Sequence, residues 1–281
     1  MDYLKKWTEF LKHLLTPGTG VFTRLAWDIH KNNFGDMLNL EIAKALSRKP
    51  VKRISTNNPG SADHFFSIGS ILQKCTRKTV VWGSGFISED SVCREVPKKI
   101  FAVRGPLTRA RLLDLRIECP EVYGDPALIL PMIYKPASAV RKFRLGIVPH
   151  YTDHNHPWIT SITEKHPDIR LINVRNKKPL KVVDEILSCE KIISSSLHGI
   201  IIADAYGIPS VWVKFSDEVI GKGFKFRDYF ASVGREDRSP LTITDAISID
   251  TVYQSFQPYS IEIDLEKLIL HCPFNQIAPL P

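Results

Sequence analysis

Several features that would place a chain quickly are missing from this one. No segment approaches the roughly 18 to 20 consecutive apolar residues that cross a bilayer, so no transmembrane helix is expected. The five cysteines (Cys75, Cys93, Cys119, Cys189, Cys272) are odd in number, widely spaced and never in a C-x-x-C pair. That argues against a disulfide framework and a zinc site, and leaves buried thiols. No G-x-S-x-G elbow occurs, so a serine-hydrolase reading has no anchor. The glycines of WGSGFISED supply only Gly83 and Gly85 of a dinucleotide fingerprint, with Ser88 where a third glycine belongs. His150, His154 and His156 lack the ordered helix spacing of a metal pair, and no metal or cofactor is expected. Basic residues are scattered and form no arm or reading motif, which argues against nucleic acid despite a formal charge of +8. The first residues mix lysines with large hydrophobes where a secretory signal would have an apolar core and a small-residue cleavage site, so the protein is expected in the cytoplasm.

What is there is a globular composition, 43% hydrophobic and 24% charged over 281 residues, enough for one large or two modest α/β domains. Residues 2–15 place Tyr3, Leu4, Trp7, Phe10, Leu11, Leu14 and Leu15 at helical spacing with lysines beside the stripe. This predicts a basic amphipathic helix, packed on its own domain or lying on an anionic membrane surface. After Thr16-Pro17-Gly18 the text alternates strand and helix. Strands are predicted at 24–29, 64–68, 79–82, 100–103, 145–148, 169–174, 191–194 and 210–215. Helices are predicted at 36–46, 107–115, 182–188 and 200–206, with Asp36 as a helix cap and Pro106 as a first helical residue. Residues 131–144, with two prolines and no period, read as a linker. Two βαβ domains with parallel sheets follow, residues 1–134 and 135–281.

In open parallel sheets ligands bind beyond the carboxyl ends of the strands, so polar residues in strand-to-helix turns carry the functional reading. Four turns stand out: NNFGD (Asn32 to Asp36), WGSG (Trp82 to Gly85), VRGP (Val103 to Pro106) and SSSLHG (Ser194 to Gly199). In the last, hydroxyls and His198 sit between an apolar strand and a helix start, where free amides and the helix dipole favour an anion. Plain capping by one serine, with His198 as a structural hydrogen-bonder, is the alternative. Arg104, directly after a strand, is expected to project into the cleft between domains as an oxyanion clamp; a surface ion pair is the alternative. His150 follows a strand of the second domain and falls at the same cleft. Asp125, before Pro126, reads as turn chemistry. GKGFKFRDYF (Gly221 to Phe230) reads as a positive loop or lid, with Lys222, Lys225 and Arg227 over a bound anion.

Taken in order, WDIHKNNFGDMLN, VVWGSGF, FAVRGPLTR, YGDPALILP, LGIVPHY, SSSLHGIIIADAYGIP and KFRDYF resemble the polysaccharide pyruvyl transferases, in particular their bacterial exopolysaccharide branch. The resemblance runs from about Leu25 to Gly234. It implies a GT-B-like architecture of two Rossmann-like domains facing across a cleft, an acceptor-side domain first and a donor domain second. It implies phosphoenolpyruvate as donor, a sugar of a lipid-linked or polymeric glycan as acceptor, and no further cofactor. Under it His198 is the proton donor and Asp36 the base. Arg104, Ser195, Ser196, Gly199, Lys225 and Arg227 hold the donor, and Asn33 and His150 meet the acceptor. The family commonly carries an arginine two residues before this histidine, where this chain has Ser196, so Arg104, Lys225 or Arg227 would have to replace its charge. The implied location is cytoplasmic, with residues 2–15 available as a peripheral contact on the inner membrane face. The competing expectations are a nucleotide-sugar glycosyltransferase of the same fold and a non-catalytic glycan-binding assembly protein.

Overall fold

The computed structural model describes residues 23–28, 33–47, 49–136, 140–236 and 239–275. The helix expected over residues 2–15 lies outside them. The first half contains β1 (Thr23–Ala26), α1 (Phe34–Ser47), β2 (Val51–Ile54), β3 (His64–Phe66), β4 (Thr79–Trp82), β5 (Lys99–Ala102), α2 (Pro106–Asp114) and α3 (Leu130–Ile133). The second contains β6 (Leu145–Val148), α4 (Pro157–Lys165), β7 (Ile169–Leu171), α5 (Pro179–Leu187), β8 (Ile192–Ser194), α6 (Leu197–Ala205), β9 (Ser210–Lys214), α7 (Phe224–Ser232), β10 (Leu241–Thr242), α8 (Ile249–Gln254) and α9 (Leu265–Leu270).

These strands form two parallel sheets of five, an α/β architecture, ordered β2-β1-β3-β4-β5 and β7-β6-β8-β9-β10. The order is the same in both: the second strand lies outside the first, and the third crosses to the first strand's other side. Each sheet therefore reverses winding direction once, between β1 and β3 and between β6 and β8, which is where open sheets leave a crevice. Sheets covered on both faces read as continuous apolar runs, and TVVW of β4 and LGIV of β6 are buried at every position. α5 buries Val182, Val183, Ile186 and Leu187, a single stripe, at about 1.5–3 kcal/mol for each large side chain removed from water. Pro106, Pro157 and Pro179 each start a helix, where a missing N–H costs nothing.

Several contacts join the halves. The Trp82 indole donates to the Leu268 carbonyl at 2.9 Å, and Phe274 sets its ring edge-on against Phe65 and Trp82. The end of the described chain thus crosses back onto the first sheet. In addition, the amide of Phe34, at the start of α1, donates to the Val174 carbonyl at 2.9 Å.

Two expectations are corrected. Asp36 does not cap α1. The cap is Asn33, whose Oδ1 accepts from the Gly35 amide at 3.2 Å, and Asp36 stands one turn in with its carboxylate free for other contacts. GKGFKFRDYF is no lid, because residues 224–232 form α7, held down by buried Phe224, Phe226, Asp228, Tyr229 and Phe230.

Candidate active site

The two switch points open onto one cavity of about 220 Å³. Asp28 comes to it from the end of β1, Ser70 from the end of β3, His150 from the end of β6 and Ser196 from the end of β8. Asn33 and Asp36 from α1, His198 from α6 and Lys225 from α7 complete the chemistry-bearing wall. Of the residues singled out in the sequence, the structure therefore gathers Asn33, Asp36, His150, Ser196, His198 and Lys225 at one place.

Ser196 precedes the first turn of α6 with extended backbone and makes no side-chain cap. Its own amide is taken by Ser194 Oγ at 3.0 Å. The amides of Leu197 and His198 have no acceptor among the described residues, so the helix presents open N–H groups at the cavity, an arrangement that favours an anion.

His198 is almost fully buried. Its Nε2 points inward and stands 3.6 Å from Asp125 Oδ2, and neither atom has a hydrogen-bond partner among the described residues. Asp125 has little freedom, because its other oxygen accepts from the Ala127 amide at 2.9 Å, capping the 3-10 turn over Pro126–Ile129. The Asp-Pro turn foreseen in the sequence is real, and its second oxygen adds a carboxylate behind the histidine. The Nδ1 edge packs over Gly35. A Cβ on that glycine would lie 2.0 Å from Nδ1, so the ring fits only because residue 35 has no side chain.

Burial pushes the carboxyl of half-buried Asp36 up to about 6; neighbouring Asp28 and Asp125 add to the rise, while His198 and Lys225 oppose it. Lys225 is moved the other way, down to about 8, first by burial and then by the Arg104 charge, against the pull of Asp36 and Asp153. A carboxyl and an amine with pKa values brought toward neutrality, beside a histidine in one cavity, form a set suited to proton transfer.

The remaining residues singled out for the donor lie elsewhere. Arg104 does not enter the cavity: it is buried, with Nε on Asp228 Oδ2 at 2.9 Å, Nη2 on the Phe86 carbonyl at 2.6 Å and Nη1 on Ser70 Oγ at 2.6 Å. Its guanidinium occupies the space left by Gly85, whose added Cβ would sit 2.5 Å from Cζ. Asp228 also accepts from the Thr108 amide and hydroxyl, so Arg104 pins α7 against α2 and supports the wall from behind Ser70. The Ser195 hydroxyl donates to buried Asp153 at 2.8 Å and accepts from the His150 amide at 2.8 Å, a brace between the loops after β6 and β8. Gly199 is a packing residue, since a Cβ there would meet Ser194 Oγ at 2.3 Å and Val148 at 2.8 Å, and its amide is used by the Ser196 carbonyl. Arg227 points away from His198 into a second cavity, with Nη1 on the Lys222 carbonyl. Sequence reasoning missed Gly35, Asp153 and Asp228. Their signals were only a glycine before Asp36, an aspartate immediately before His154 and an aspartate among aromatics.

Among the described residues no group of three or more His, Cys, Asp or Glu side chains is placed to hold a metal ion, and no helix is long and apolar enough to cross a membrane.

Residues 30–217 match the polysaccharide pyruvyl transferase family. An uncharacterized protein of Acanthamoeba polyphaga mimivirus is 30% identical over 207 residues, 73% of this chain and 72% of that one. The succinoglycan biosynthesis protein ExoV of Rhizobium meliloti (strain 1021) is 28% identical over 238 residues, 77% of this chain and 67% of that one. With a match that runs from residue 30 past β9, the chain belongs to the polysaccharide pyruvyl transferase family of enzymes.

Proposed function

We propose that the protein forms a pyruvate ketal on a glycan, taking the three-carbon unit from phosphoenolpyruvate and joining it to two hydroxyls of one sugar in a lipid-linked or polymeric acceptor. The observation that carries this reading is the open N-terminus of α6 with His198 in its first turn and Asp125 behind the ring. In the reaction a proton adds to the methylene carbon of phosphoenolpyruvate and the positive charge develops at the carbon bearing the phosphate. One sugar hydroxyl attacks that carbon, phosphate leaves, and the second hydroxyl closes the ketal. Of the two hydroxyl protons released, one balances the new methyl group and the other leaves on hydrogen phosphate.

His198 in its charged form is the proton donor, with the Asp125 carboxylate stabilising the imidazolium from the Nε2 side. The amides of Leu197 and His198, the Ser196 hydroxyl and the Lys225 ammonium hold the phosphate and carboxylate, and Lys225 takes the part of the arginine that Ser196 replaces. Asp36 accepts the proton of the attacking hydroxyl. Asn33 and His150, on opposite sides of the cavity, orient the sugar. In this reading the halves act as a GT-B-like pair, the first meeting the acceptor and the second the donor. Residues 2–15 are proposed to rest on a membrane carrying the acceptor, and deleting them should abolish flotation with anionic vesicles; unchanged flotation would remove that part.

The test is phosphate release from phosphoenolpyruvate with galactosyl, glucosyl and mannosyl acceptors. Acceptor-dependent release, lost by about 10²–10⁴ in His198→Ala while the fold persists, is expected. No release with any acceptor, together with tight binding of a nucleotide sugar, would replace this reading with a glycosyltransferase.

A further inference from the structure

Behind the SSSLHG turn lies the second cavity, larger at about 450 Å³ and within the size range of small-ligand sites. Its inner wall is Trp212 and Phe226, whose rings stack at 4.6 Å and 12°. Its charged lining is Lys214, Lys222 and Arg227 against one carboxylate, Asp217, which already pairs with Lys214 at 2.6 Å. Positive charge is left in excess beside an aromatic wall.

The backbone that carries Lys222 is held in an uncommon shape. Gly221, Lys222 and Gly223 all have positive φ, at 92°, 46° and 79°, and the middle one is not a glycine. Such a conformation persists only when its surroundings enforce it, and it concentrates at functional sites. Here the enforcement is visible: a Cβ on Gly221 would lie 2.0 Å from the Ile87 carbonyl, a Cβ on Gly223 would lie 2.6 Å from the Trp212 ring, and Arg227 clamps the Lys222 carbonyl at 2.9 Å.

This cavity shares its wall with the candidate active site. Ser195 faces one and Ser196 the other; Phe226 and Arg227 face one and Lys225 the other; Gly221 abuts Ile87, which lines the other. A three-carbon donor seated at α6 is too short to reach both, so a molecule spanning the two would be the acceptor. We propose that this second cavity seats an anionic sugar unit of the acceptor, one bearing a phosphate or a carboxylate, next to the sugar that receives the pyruvate. The sugar sits in the cavity beside the edge of the stacked Trp212 and Phe226 pair, and the anion meets Lys222 and Arg227. The word acceptor rests on the proposed function; the anionic-sugar seat does not.

The test measures binding without phosphoenolpyruvate, by calorimetry, using galactose, galactose 1-phosphate, galacturonate and uridine diphosphate. Galactose 1-phosphate or galacturonate should bind at least about tenfold more tightly than galactose, and whichever is tighter names the anion. Arg227→Gln should erase most of that preference. Lys222→Asn, which tolerates positive φ, should erase part of it with an unchanged melting temperature. Equal binding of charged and neutral sugars, or a preference that survives both substitutions, would overturn the proposal, as would uridine diphosphate binding more tightly than either charged sugar. In turnover assays the same variants should raise KM for a phosphorylated acceptor about tenfold and leave kcat and the KM for a neutral one alone. Phosphate release that is normal but indifferent to these substitutions sinks the anionic seat and leaves the transferase. Charge-dependent sugar binding without any phosphate release sinks the transferase and leaves the seat.

Discussion

Arg104 and Asp228 meet at 2.9 Å with nearly every polar atom engaged, by Thr108, Ser70 and the Phe86 carbonyl, whereas His198 and Asp125 stand 3.6 Å apart with the facing atoms otherwise unpartnered. Both pairs are buried, and both put a carboxylate against a cation or potential cation. They differ in what surrounds them. Around the arginine, each donor is matched and each nearby glycine removes a clash, as an ion pair taken out of water requires. Around the histidine, the Nδ1 edge lies over Gly35 and Nε2 faces a carboxylate without a competing hydrogen bond. A satisfied pair holds two halves together; an unsatisfied one keeps a proton movable. The buried Asp204–Arg235 pair follows the first pattern, with Tyr229, Tyr259 and Ser210 closing on the same carboxylate.

The hardest way to break this contrast is at the satisfied pair. Arg104→Ala leaves Asp228 buried and uncompensated, and should cost about 3–5 kcal/mol, read as a lower denaturant midpoint. Arg104→Lys should recover little, since an ammonium cannot span Asp228, Phe86 and Ser70 together. If Arg104→Ala unfolds like the parent yet no longer binds phosphoenolpyruvate, Arg104 is a ligand after all and the contrast fails.

A subtler break is at Gly35. Gly35→Ala places a methyl group in the space of the His198 ring and should displace it by an ångström or more, lowering kcat by about 10² and stability by about 1–3 kcal/mol. Activity that survives would mean that the ring position is not critical. Smaller again is Asp125→Asn, which retains an oxygen to accept from the Ala127 amide and so keeps the cap. It should leave stability within about 0.5 kcal/mol and lower kcat about tenfold with KM for phosphoenolpyruvate unchanged. A loss confined to stability would make Asp125 a turn residue and nothing more.

The parallel α/β plan was legible because buried strands such as TVVW and LGIV announce themselves, and the position of the site followed from which turns lie at strand ends. Within those turns the sequence did not separate ligands from braces. Arg104 and His198 each follow a strand, sit beside a glycine and carry ring or guanidinium nitrogens, yet one is consumed by Asp228, a partner 124 residues away. No local pattern records such a partner. α7 was hidden for the same reason: GKGFKFRDYF has the composition of a loop, and its helix is fixed by aromatics docking on Trp212 and by Asp228 docking on α2. The short edge strands β2 and β10 were missed because two to four half-exposed residues carry no apolar run.

Asp36 gives the finest test, because it belongs to neither pattern: half-buried, without the full set of partners around Asp228 and without the fixed geometry of Asp125. In the folded chain its carboxyl holds its proton up to about pH 6, while in the unfolded chain it releases it near 3.8. Between these values the folded state binds more protons, so Asp36 lowers stability progressively as pH rises through the window, and the whole penalty is in force above pH 6. Asp36→Asn removes that penalty and should be more stable than the parent by about 1 kcal/mol at pH 7, the full shift being discounted because the cavity is open to water on one side. At pH 4, where the parent carboxyl is neutral too, the advantage should vanish. Urea unfolding at the two pH values decides it. A gain at pH 7 bought with lost turnover would mark Asp36 as a charge kept for chemistry against the interest of the fold, whereas equal stability differences at both pH values would show that its carboxylate meets no such penalty and leave its role as a base without this support.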